Sequence, residues 1–317
     1  MTFSVGIDIG GTKTNIGIVD SDLQIKDHRV IRTRPEVDES IETLVDRINL
    51  SLSDMLDKNG IQKGKVEFVG ICVPGTVNGE LGIVEYCPNL GWNDIKLKSI
   101  FQERTGFTYV RIIQDSWAAA VAEHECGGGK NCSDMACITI GTGIGCGVIL
   151  NNRIFSGAMH CAGELGHTIF QMDGIACNCS RRGCFERYVS GTGIYERAFE
   201  RFPEKFRGRP HCAETVFELA MSNYEPATEL IDMTDRMLAI GISNLISIIN
   251  VKKVLISGGI SQQEDLIIKP LQKYIYDYAY YPWKRQKNVI VEKAQIGESA
   301  PMLGAALLYR VSDYYSA

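Results

Sequence analysis

The residues best suited to bind a metal lie in and just before one short loop. The run CNCSRRGC at 177–184 carries Cys177, Cys179 and Cys184, and His167 lies ten residues upstream in Gly-Glu-Leu-Gly-His. One histidine and three cysteines form a closed tetrahedral set for Zn²⁺ with no open position, so the metal would be structural. A cysteine cluster without metal is the alternative interpretation. The other cysteines are scattered, several within apolar runs, and we expect buried thiols there.

Two glycine-rich turns are typical of phosphate binding. Residues 8–13 read Asp-Ile-Gly-Gly-Thr-Lys, and residues 141–147 read Gly-Thr-Gly-Ile-Gly-Cys-Gly. Such glycines let backbone N–H groups approach a phosphate, while the threonine, lysine and aspartate add donors, charge and a metal ligand. Plain hairpin turns are the alternative, and neither turn fits a P-loop or a dinucleotide-binding motif. The candidate phosphate-binding residues are Asp8, Gly10, Gly11, Thr12, Lys13, Gly141, Thr142 and Gly143.

A third glycine pair and one aspartate follow apolar strands. Gly258 and Gly259 lie between a predicted strand and a predicted helix, where they either close over a nucleoside or form a plain turn. Asp115 follows the apolar run at 109–113 and opens the helix predicted at 116–125. A helix-capping carboxylate and a general base at the carboxyl end of a strand both fit that position. Position alone favours the capping role.

Hydrophobic patterns predict an α/β fold in which one pattern occurs twice. Strands are predicted at 3–9, 15–19, 24–33 and 66–72, and a helix from 41 to a glycine at 60. The sequence strand, glycine turn, strand, Asn-Asn turn, strand returns from residue 136, which indicates an internal repeat. The later predicted elements are helix 228–249, strand 251–257, helix 264–279 and a last helix from Pro301.

The repeat predicts a two-lobed protein with a mixed sheet in each half. Each half has the order βββαβα, and a cleft between the halves is the natural place for a ligand. We predict a small N-terminal lobe of residues 1–117 plus 302–317, and a large lobe of residues 118–301 that carries the cysteine loop. The apolar helix 228–249 is expected to be core rather than a dimer surface.

Composition excludes several classes of function. The 317 residues are 45% apolar and 22% charged, enough for about two domains. With 33 Lys and Arg against 38 Asp and Glu, the chain shows no basic surface for nucleic acid or a membrane. No signal peptide and no apolar run of about 18 residues occur. We therefore expect a cytoplasmic protein that binds small polar molecules.

These motifs together resemble the ROK family of sugar kinases and repressors, in the actin-like ATPase superfamily with its ribonuclease H-like fold. The resemblance covers nearly the whole chain. Residues 8–13 and 141–147 are similar to the family's phosphate motifs, and residues 69–92 to its sugar-binding segment. Glu-Leu-Gly-His with Cys-x-Cys-x3-Gly-Cys-x-Glu resembles its zinc signature. The zinc ligands that this implies are His167, Cys177, Cys179 and Cys184.

The resemblance also implies roles around a sugar and ATP. Asp115 would be the catalytic base, which takes the proton of a sugar hydroxyl as its oxygen attacks the γ-phosphoryl group of MgATP. This overrides the capping role. His167 would use one ring nitrogen for zinc and the other for the sugar. The implied sugar-binding residues are Gly75, Asn89, Gln114, Glu164, His167 and Glu186.

One departure from the family pattern leaves the sugar open. The usual Asn-Asp-x-Asn around the base is here Gln114-Asp115-Ser116-Trp117, and the longer first side chain shifts its amide by about one bond. We expect phosphorylation of a hexose at the 6-hydroxyl, with glucose, allose or an N-acyl hexosamine such as N-acetylmannosamine as the alternatives. A homodimer is expected, because family members are commonly dimers.

The motifs fit a kinase better than three other functions. A sugar-responsive repressor of the same family would carry an added N-terminal DNA-binding domain, for which a first strand at residue 3 leaves no room. An interaction module built on the cysteine cluster would leave the phosphate motifs unexplained. A sugar sensor without catalysis is not favoured, because Asp8, Asp115 and both glycine turns are present.

Overall fold

The computed structural model describes residues 2–34, 39–280 and 289–312. These residues form an α/β fold with two five-stranded sheets and one three-stranded sheet. The strands within them are β1 (Phe3–Ile9), β2 (Lys13–Asp20), β3 (Ile25–Arg32), β4 (Val66–Val73), β5 (Thr76–Asn78), β6 (Ile83–Cys87), β7 (Trp92–Ile95), β8 (Val110–Gln114), β9 (Met135–Ile140), β10 (Ile144–Leu150), β11 (Arg153–Ile154), β12 (Lys253–Ser257) and β13 (Ile290–Lys293). Among the described helices, none combines the length and the apolar character needed to cross a membrane.

The first sheet has the strand order β3-β2-β1-β4-β8. β1, β2 and β3 form an antiparallel meander, and β4 and β8 then run parallel to β1. The central strand β1 is almost continuously buried, as expected for a strand covered on both faces. The edge strand β3 alternates half-buried and exposed residues and is rich in charge, which protects a sheet edge from pairing with another chain.

The second sheet repeats this order as β11-β10-β9-β12-β13. The parallel pairs β9–β12 and β12–β13 correspond to β1–β4 and β4–β8 of the first sheet. The two glycine turns therefore occupy equivalent places, after β1 and after β9. This agreement confirms the duplicated α/β fold that the internal repeat predicts. The small sheet β5-β6-β7 lies between β4 and β8 in the chain and falls outside the predicted elements.

The helices follow the apolar patterns with small shifts at their ends. They are α1 (Ile41–Lys58), α2 (Leu97–Thr105), α3 (Asp115–Cys126), α4 (Glu186–Val189), α5 (Gly191–Arg201), α6 (Ala213–Met221), α7 (Glu225–Ile249), α8 (Lys269–Tyr278) and α9 (Ala300–Leu307). α1 begins after Ser40, whose Oγ accepts the Thr43 N–H at 3.3 Å. Gly60 lies just beyond its end with a φ of 65°, a left-handed conformation that suits glycine.

α7 is a core helix, as its apolar pattern predicts. Leu230, Leu238 and Ile242 are buried along one face. The segment predicted as helix 264–279 is less regular, since a π-helical turn at Glu264–Ile268 precedes α8. Pro270 has no N–H to donate to an earlier carbonyl, which explains the wider turn before it.

The last helix, α9, lies directly on the first sheet. A Cβ built on Gly6 would lie 1.9 Å from Met302 O, and one built on Gly70 would lie 1.8 Å from Ala305 O. Any larger residue at these two strand positions would collide with the helix backbone. Glycine therefore permits the close approach of sheet and helix.

The chain divides into two compact units. The first contains Met1–Ser133, Gly147–Ala162 and Glu298–Ala317, and the second contains Asp134–Cys146 and Gly163–Gly297. The lobe boundary at 117/118 stays a prediction; in the present division α3 belongs to the first unit, together with Gly147–Ala162. The reason is close packing of α3 on α9, where a Cβ built on Gly304 would lie 1.7 Å from Ala118 O.

Candidate active site and metal centre

The first glycine turn joins β1 to β2 and is held by a threonine outside it. The Gly10 N–H donates to Lys13 O at 3.0 Å. Thr33 donates its Oγ1 hydrogen to Gly10 O at 2.7 Å and its N–H to Thr12 O at 2.9 Å. Gly11, Thr12 and Lys13 are exposed. The turn is thus fixed from behind while its tip faces solvent, as binding of a phosphate requires.

Asp8 lies on β1 beside this turn and has two polar neighbours. Asn15 faces it from β2 and donates an Nδ2 hydrogen to Asp8 Oδ2 at 3.0 Å. Cys72 faces it from β4, with Sγ 3.6 Å from Asp8 Oδ1. Burial raises the pKa of Asp8, although these two hydrogen bonds act in the opposite direction. Sequence reasoning missed Asn15 and Cys72, which only the strand register places beside the aspartate.

Asp115 is the first residue of α3 and follows Gln114 at the end of β8. Its Oδ1 accepts the Ser116 N–H at 2.7 Å. Burial raises the pKa of the Cys72 thiol, and the charges of Asp8 and Asp115 raise it further. These carboxylates therefore lie close to Cys72 at the carboxyl ends of β1, β4 and β8. That edge is where open α/β sheets place their ligands.

Gly75 and Asn89, predicted to bind sugar, follow β4 and β6 in the first unit. Gly75 has a φ of 92°, and a Cβ there would lie 2.2 Å from Tyr86 O, so its position requires glycine. Asn89 is exposed in the turn between β6 and β7. A Cβ built on Gly11 would lie 3.7 Å from Asn89 Cβ. The structure therefore brings Asn89 beside the first glycine turn.

Trp117 occupies the place of the second asparagine in the family pattern. Only 4% of its surface is exposed, and its Nε1–H donates to Ala162 O at 3.1 Å. The indole thus supplies one hydrogen bond to the loop backbone from the first turn of α3. A buried, paired indole here fixes the beginning of the helix that carries Asp115.

The second glycine turn, in the second unit, is closed and docked on α5. The Gly141 N–H donates to Gly143 O at 3.0 Å, and Gly141 O accepts the Gly191 N–H at 2.8 Å. Ser190 caps α5 by accepting the Gly193 N–H on its Oγ at 3.1 Å. Sequence reasoning missed this Ser-Gly-Thr-Gly start of α5, although a serine before a glycine-rich helix start is a recognisable cap.

Glu186 connects the second turn with the cysteine loop. Its Oε2 accepts the Ile144 N–H at 2.8 Å. A Cβ built on Gly143 would lie only 2.5 Å from the same oxygen. A residue predicted to bind sugar therefore lies against a turn predicted to bind phosphate, and the absence of a side chain at 143 makes this contact possible.

The third glycine pair lies beside the strand that leads into this turn. Gly258 has a φ of 87°, and a Cβ there would lie 2.4 Å from Ile140 O. Ser261 donates its Oγ hydrogen to Gly258 O at 2.8 Å. Gly259 begins a short 3₁₀ turn, and a Cβ built on it would meet nothing within 4 Å in the part of the chain that the structure describes. Gly258 is thus needed for close packing on β9, while Gly259 leaves open space.

The four predicted metal ligands come together in the second unit. One donor atom from each of His167, Cys177, Cys179 and Cys184 lies within 4.8 Å of all the others. His167 Nδ1 is 3.8 Å from Cys177 Sγ, and Cys179 Sγ is 3.4 Å from Cys184 Sγ. Four tetrahedral ligands at about 2.3 Å from an ion are about 3.7 Å apart. The donor set and its spacing therefore fit a four-coordinate metal ion.

Two charged groups lie around this cluster. Burial acts to raise the pKa of the Cys179 thiol, but hydrogen bonds from Arg181 outweigh it and lower the pKa to about 6. A thiolate is the form that binds metal. The second group is Glu164, which precedes the 3₁₀ turn Leu165–His167 that carries the histidine of the cluster. Burial and the charge of Glu164 raise the pKa of the Cys146 thiol to about 12, which places the carboxylate near β10.

The predicted site residues thus form two groups, each within one unit. In the first, Asp8, Asn89 and Asp115 lie around the first glycine turn and the carboxyl edge of the sheet. In the second, Glu186 and the metal cluster lie around the second turn.

Comparison with known proteins identifies the family of this chain. Residues 4–311 match the model of the ROK family. The glucokinase of Streptomyces coelicolor is 32% identical over 327 residues, covering 99% of each chain. An N-acetylmannosamine kinase of Haemophilus influenzae is 28% identical over 312 residues, covering 98% of this chain and 95% of that protein.

Solved structures agree with the family and the fold. A ROK family glucokinase from Streptomyces griseus, solved in complex with glucose and AMPPNP, is 29% identical and superposes with a TM-score of 0.81. The superposition covers 96% of this chain and 98% of that one. The chain therefore belongs to the ROK family and has the actin-like ATPase fold that its motifs predict.

Proposed function

We propose that this protein is an ATP-dependent kinase that phosphorylates the 6-hydroxyl of glucose or a related hexose. The observation that carries the proposal is the strand order at one sheet edge: Asp8 on β1 faces Cys72 on β4, and Asp115 follows the neighbouring strand β8. A base, a metal-binding carboxylate and exposed backbone donors are the parts that phosphoryl transfer needs. Similarity to a glucokinase over 99% of both chains supports the same conclusion.

Asp115 acts as the general base in the proposed reaction. The sugar 6-oxygen bonds to the γ-phosphorus of ATP, the bond from that phosphorus to the β,γ-bridging oxygen breaks, and ADP leaves. Asp115 accepts the hydroxyl proton, a role that accelerates such reactions about 10²–10⁴-fold. Backbone N–H groups of each glycine turn, and of Gly259 in the second unit, are the donors proposed for the nucleotide phosphates. When bound, Mg²⁺ neutralises charge on the transferred group, and Asp8 is the carboxylate that would hold it.

The sugar is held by polar groups that also touch the phosphate turns. In the first unit Asn89 lies beside Gly11, and in the second Glu186 lies beside Gly143. Sugar hydroxyls would bond to these residues and to Gln114, Glu164 and His167, with the Gly75 backbone close by. Asn89 and Glu186 would therefore each hold the sugar next to the phosphate turn of their own unit, and such positioning accelerates phosphoryl transfer.

The metal of the four-residue cluster is proposed to be structural zinc. Three thiolates and one imidazole are ligands that zinc favours, and their number leaves no position for substrate. His167 Nδ1 faces the sulfurs, so the other ring nitrogen is available for a sugar hydroxyl. The metal thus orders the loop that carries Glu186 without taking part in the chemistry.

The preferred sugar depends on the pocket around Gln114. Glucose and allose fit the similarity to a glucokinase, and N-acetylmannosamine fits the similarity to an N-acetylmannosamine kinase. A homodimer stays a prediction from the family resemblance, and light scattering on a gel-filtration column would test it.

The decisive experiment is a coupled ADP-release assay with MgATP. The panel contains glucose, allose, mannose and N-acetylmannosamine, and the quantity compared is kcat/KM. We expect one sugar to be strongly preferred. Turnover on none of these sugars, by protein that is folded and loaded with zinc, would contradict the proposed function.

A further inference from the structure

The ring of Phe185 fits into a seat in α7 that only glycine leaves open. A Cβ built on Gly241 would lie 2.3 Å from Cζ of Phe185, 2.6 Å from Cε2 and 2.8 Å from Cε1. These distances are far below carbon–carbon contact, so the ring tip points directly at the α7 backbone. Glycine is unfavourable inside a helix, and its presence at 241 is explained by this close approach.

Phe185 is held on two other sides as well. Its N–H donates to Thr168 O at 2.9 Å, and its ring centroid lies 5.7 Å from that of Phe170. Only 1% of its surface is exposed. The side chain therefore has one position, fixed by α7 at the tip, by an aromatic neighbour at the ring and by the backbone next to His167.

The two neighbours of Phe185 in sequence both belong to the site. Cys184 is a ligand of the metal cluster and is fully buried. Glu186 accepts the Ile144 N–H at 2.8 Å and lies against Gly143 of the second glycine turn. Because Phe170 and α7 confine the ring, a Cβ at 241 pushes it through the backbone of 185, and Cys184 and Glu186 are joined directly to that backbone.

We propose that Gly241 is a positioning residue that sets the metal ligand Cys184 and the sugar-binding Glu186 through the ring of Phe185. Its effect on Glu186 rests on the proposed function, whereas its effect on Cys184 depends only on the metal cluster. α7 is a long helix with one buried face and so provides a rigid support for a polar loop that has little apolar surface of its own.

The test is Gly241→Ala in the zinc-loaded protein, compared with Gly64→Ala. A Cβ on Gly64 would meet no atom of the described residues within 4 Å, so this control adds the same methyl group without a clash there. We expect Gly241→Ala to release zinc to a colorimetric chelator at least about tenfold faster and to raise the sugar KM more than it lowers kcat.

Rescue separates positioning from general destabilisation. Leucine at 185 is too short to reach the seat, so Phe185→Leu in the Gly241→Ala background should bring zinc release back towards the wild-type rate. Phe185→Leu alone leaves the seat empty and should release zinc faster than wild type, which tests the proposal even if Gly241→Ala fails to fold. The proposal is overturned if Gly241→Ala keeps wild-type zinc release, or if the double variant is no better than Gly241→Ala.

The readouts also distinguish this proposal from the proposed function. If the wild-type protein phosphorylates no sugar, zinc release and its rescue still test the link from Gly241 to Cys184. If the wild-type protein is an active kinase and Gly241→Ala changes neither zinc release nor sugar KM, only the positioning role fails.

Discussion

Asp115→Asn should remove catalysis while leaving the fold nearly unchanged. The Asp115 Oδ1 accepts the Ser116 N–H at 2.7 Å, and the amide oxygen of asparagine can accept the same hydrogen. Replacing the carboxylate by an amide weakens its favourable interaction with the first turn of α3, worth about 0.3–1 kcal/mol. We expect the free energy of unfolding in urea to fall by less than about 1 kcal/mol.

The catalytic loss should be much larger. An amide cannot accept the proton of the sugar hydroxyl, and a positioned general base contributes about 10²–10⁴-fold, equivalent to about 3–5 kcal/mol of activation free energy. The measurement is kcat in the coupled ADP-release assay, with the sugar dissociation constant from isothermal titration calorimetry. Sugar affinity should change by less than about tenfold, because the base is one of several polar contacts.

Asp115→Ala is the matched comparison. Alanine removes both the base and the acceptor for the Ser116 N–H, so it should cost about 1 kcal/mol more in stability than asparagine. Its kcat should be as low as that of Asp115→Asn. Turnover by Asp115→Asn within tenfold of wild type would refute the assignment of the base, and equal stability of the two variants would refute the role of the Ser116 contact.

Three further outcomes follow from other parts of the structure. Burial raises the pKa of Asp235 in α7 to about 9, and its Oδ1 has no hydrogen-bond partner among the described residues. The folded protein thus keeps a proton that the unfolded chain loses above about pH 4, so the free energy of unfolding falls as pH rises towards 9. Asp235→Asn should remove this pH dependence, which urea unfolding at pH 5 and pH 8 would measure. Trp117→Phe leaves Ala162 O without the indole hydrogen bond and should lower the free energy of unfolding by about 1 kcal/mol; an unchanged urea midpoint would argue against that bond. Removing the metal of the Cys177, Cys179 and Cys184 cluster with a chelator should lower the Tm by about 5 °C or more and raise the sugar KM, as calorimetry and the kinase assay would report; an unchanged Tm would mean that the cluster holds no structural ion.

The sequence alone predicts the parts whose residues are close together in the chain. The metal loop needs three cysteines within eight positions and one histidine ten residues before them, so its donor set can be read directly. The same holds for the glycine turns and for the repeated strand pattern, because apolar periodicity and turn residues encode local structure. The family resemblance then added roles, such as that of Asp115, which position alone would have assigned to helix capping.

Tertiary structure decided the contacts between residues that are distant in sequence. Strand register places Asn15 and Cys72 around Asp8, and no local pattern indicates which residue of a neighbouring strand will face which. Packing of α9, near the C-terminal end, against α3 keeps α3 in the first compact unit.

The seat of Phe185 shows why such features stay hidden in a sequence. Gly241 and Phe185 belong to different elements, and the glycine lies in a helix where residue preferences alone disfavour it. Glycine is needed there because a Cβ at 241 would collide with the ring of Phe185, which lies more than fifty residues earlier in the chain. The sequence by itself thus determined which side chains could do the chemistry. Close packing and strand register decided where each of them is held, because packing and register depend on distances that only the folded chain sets.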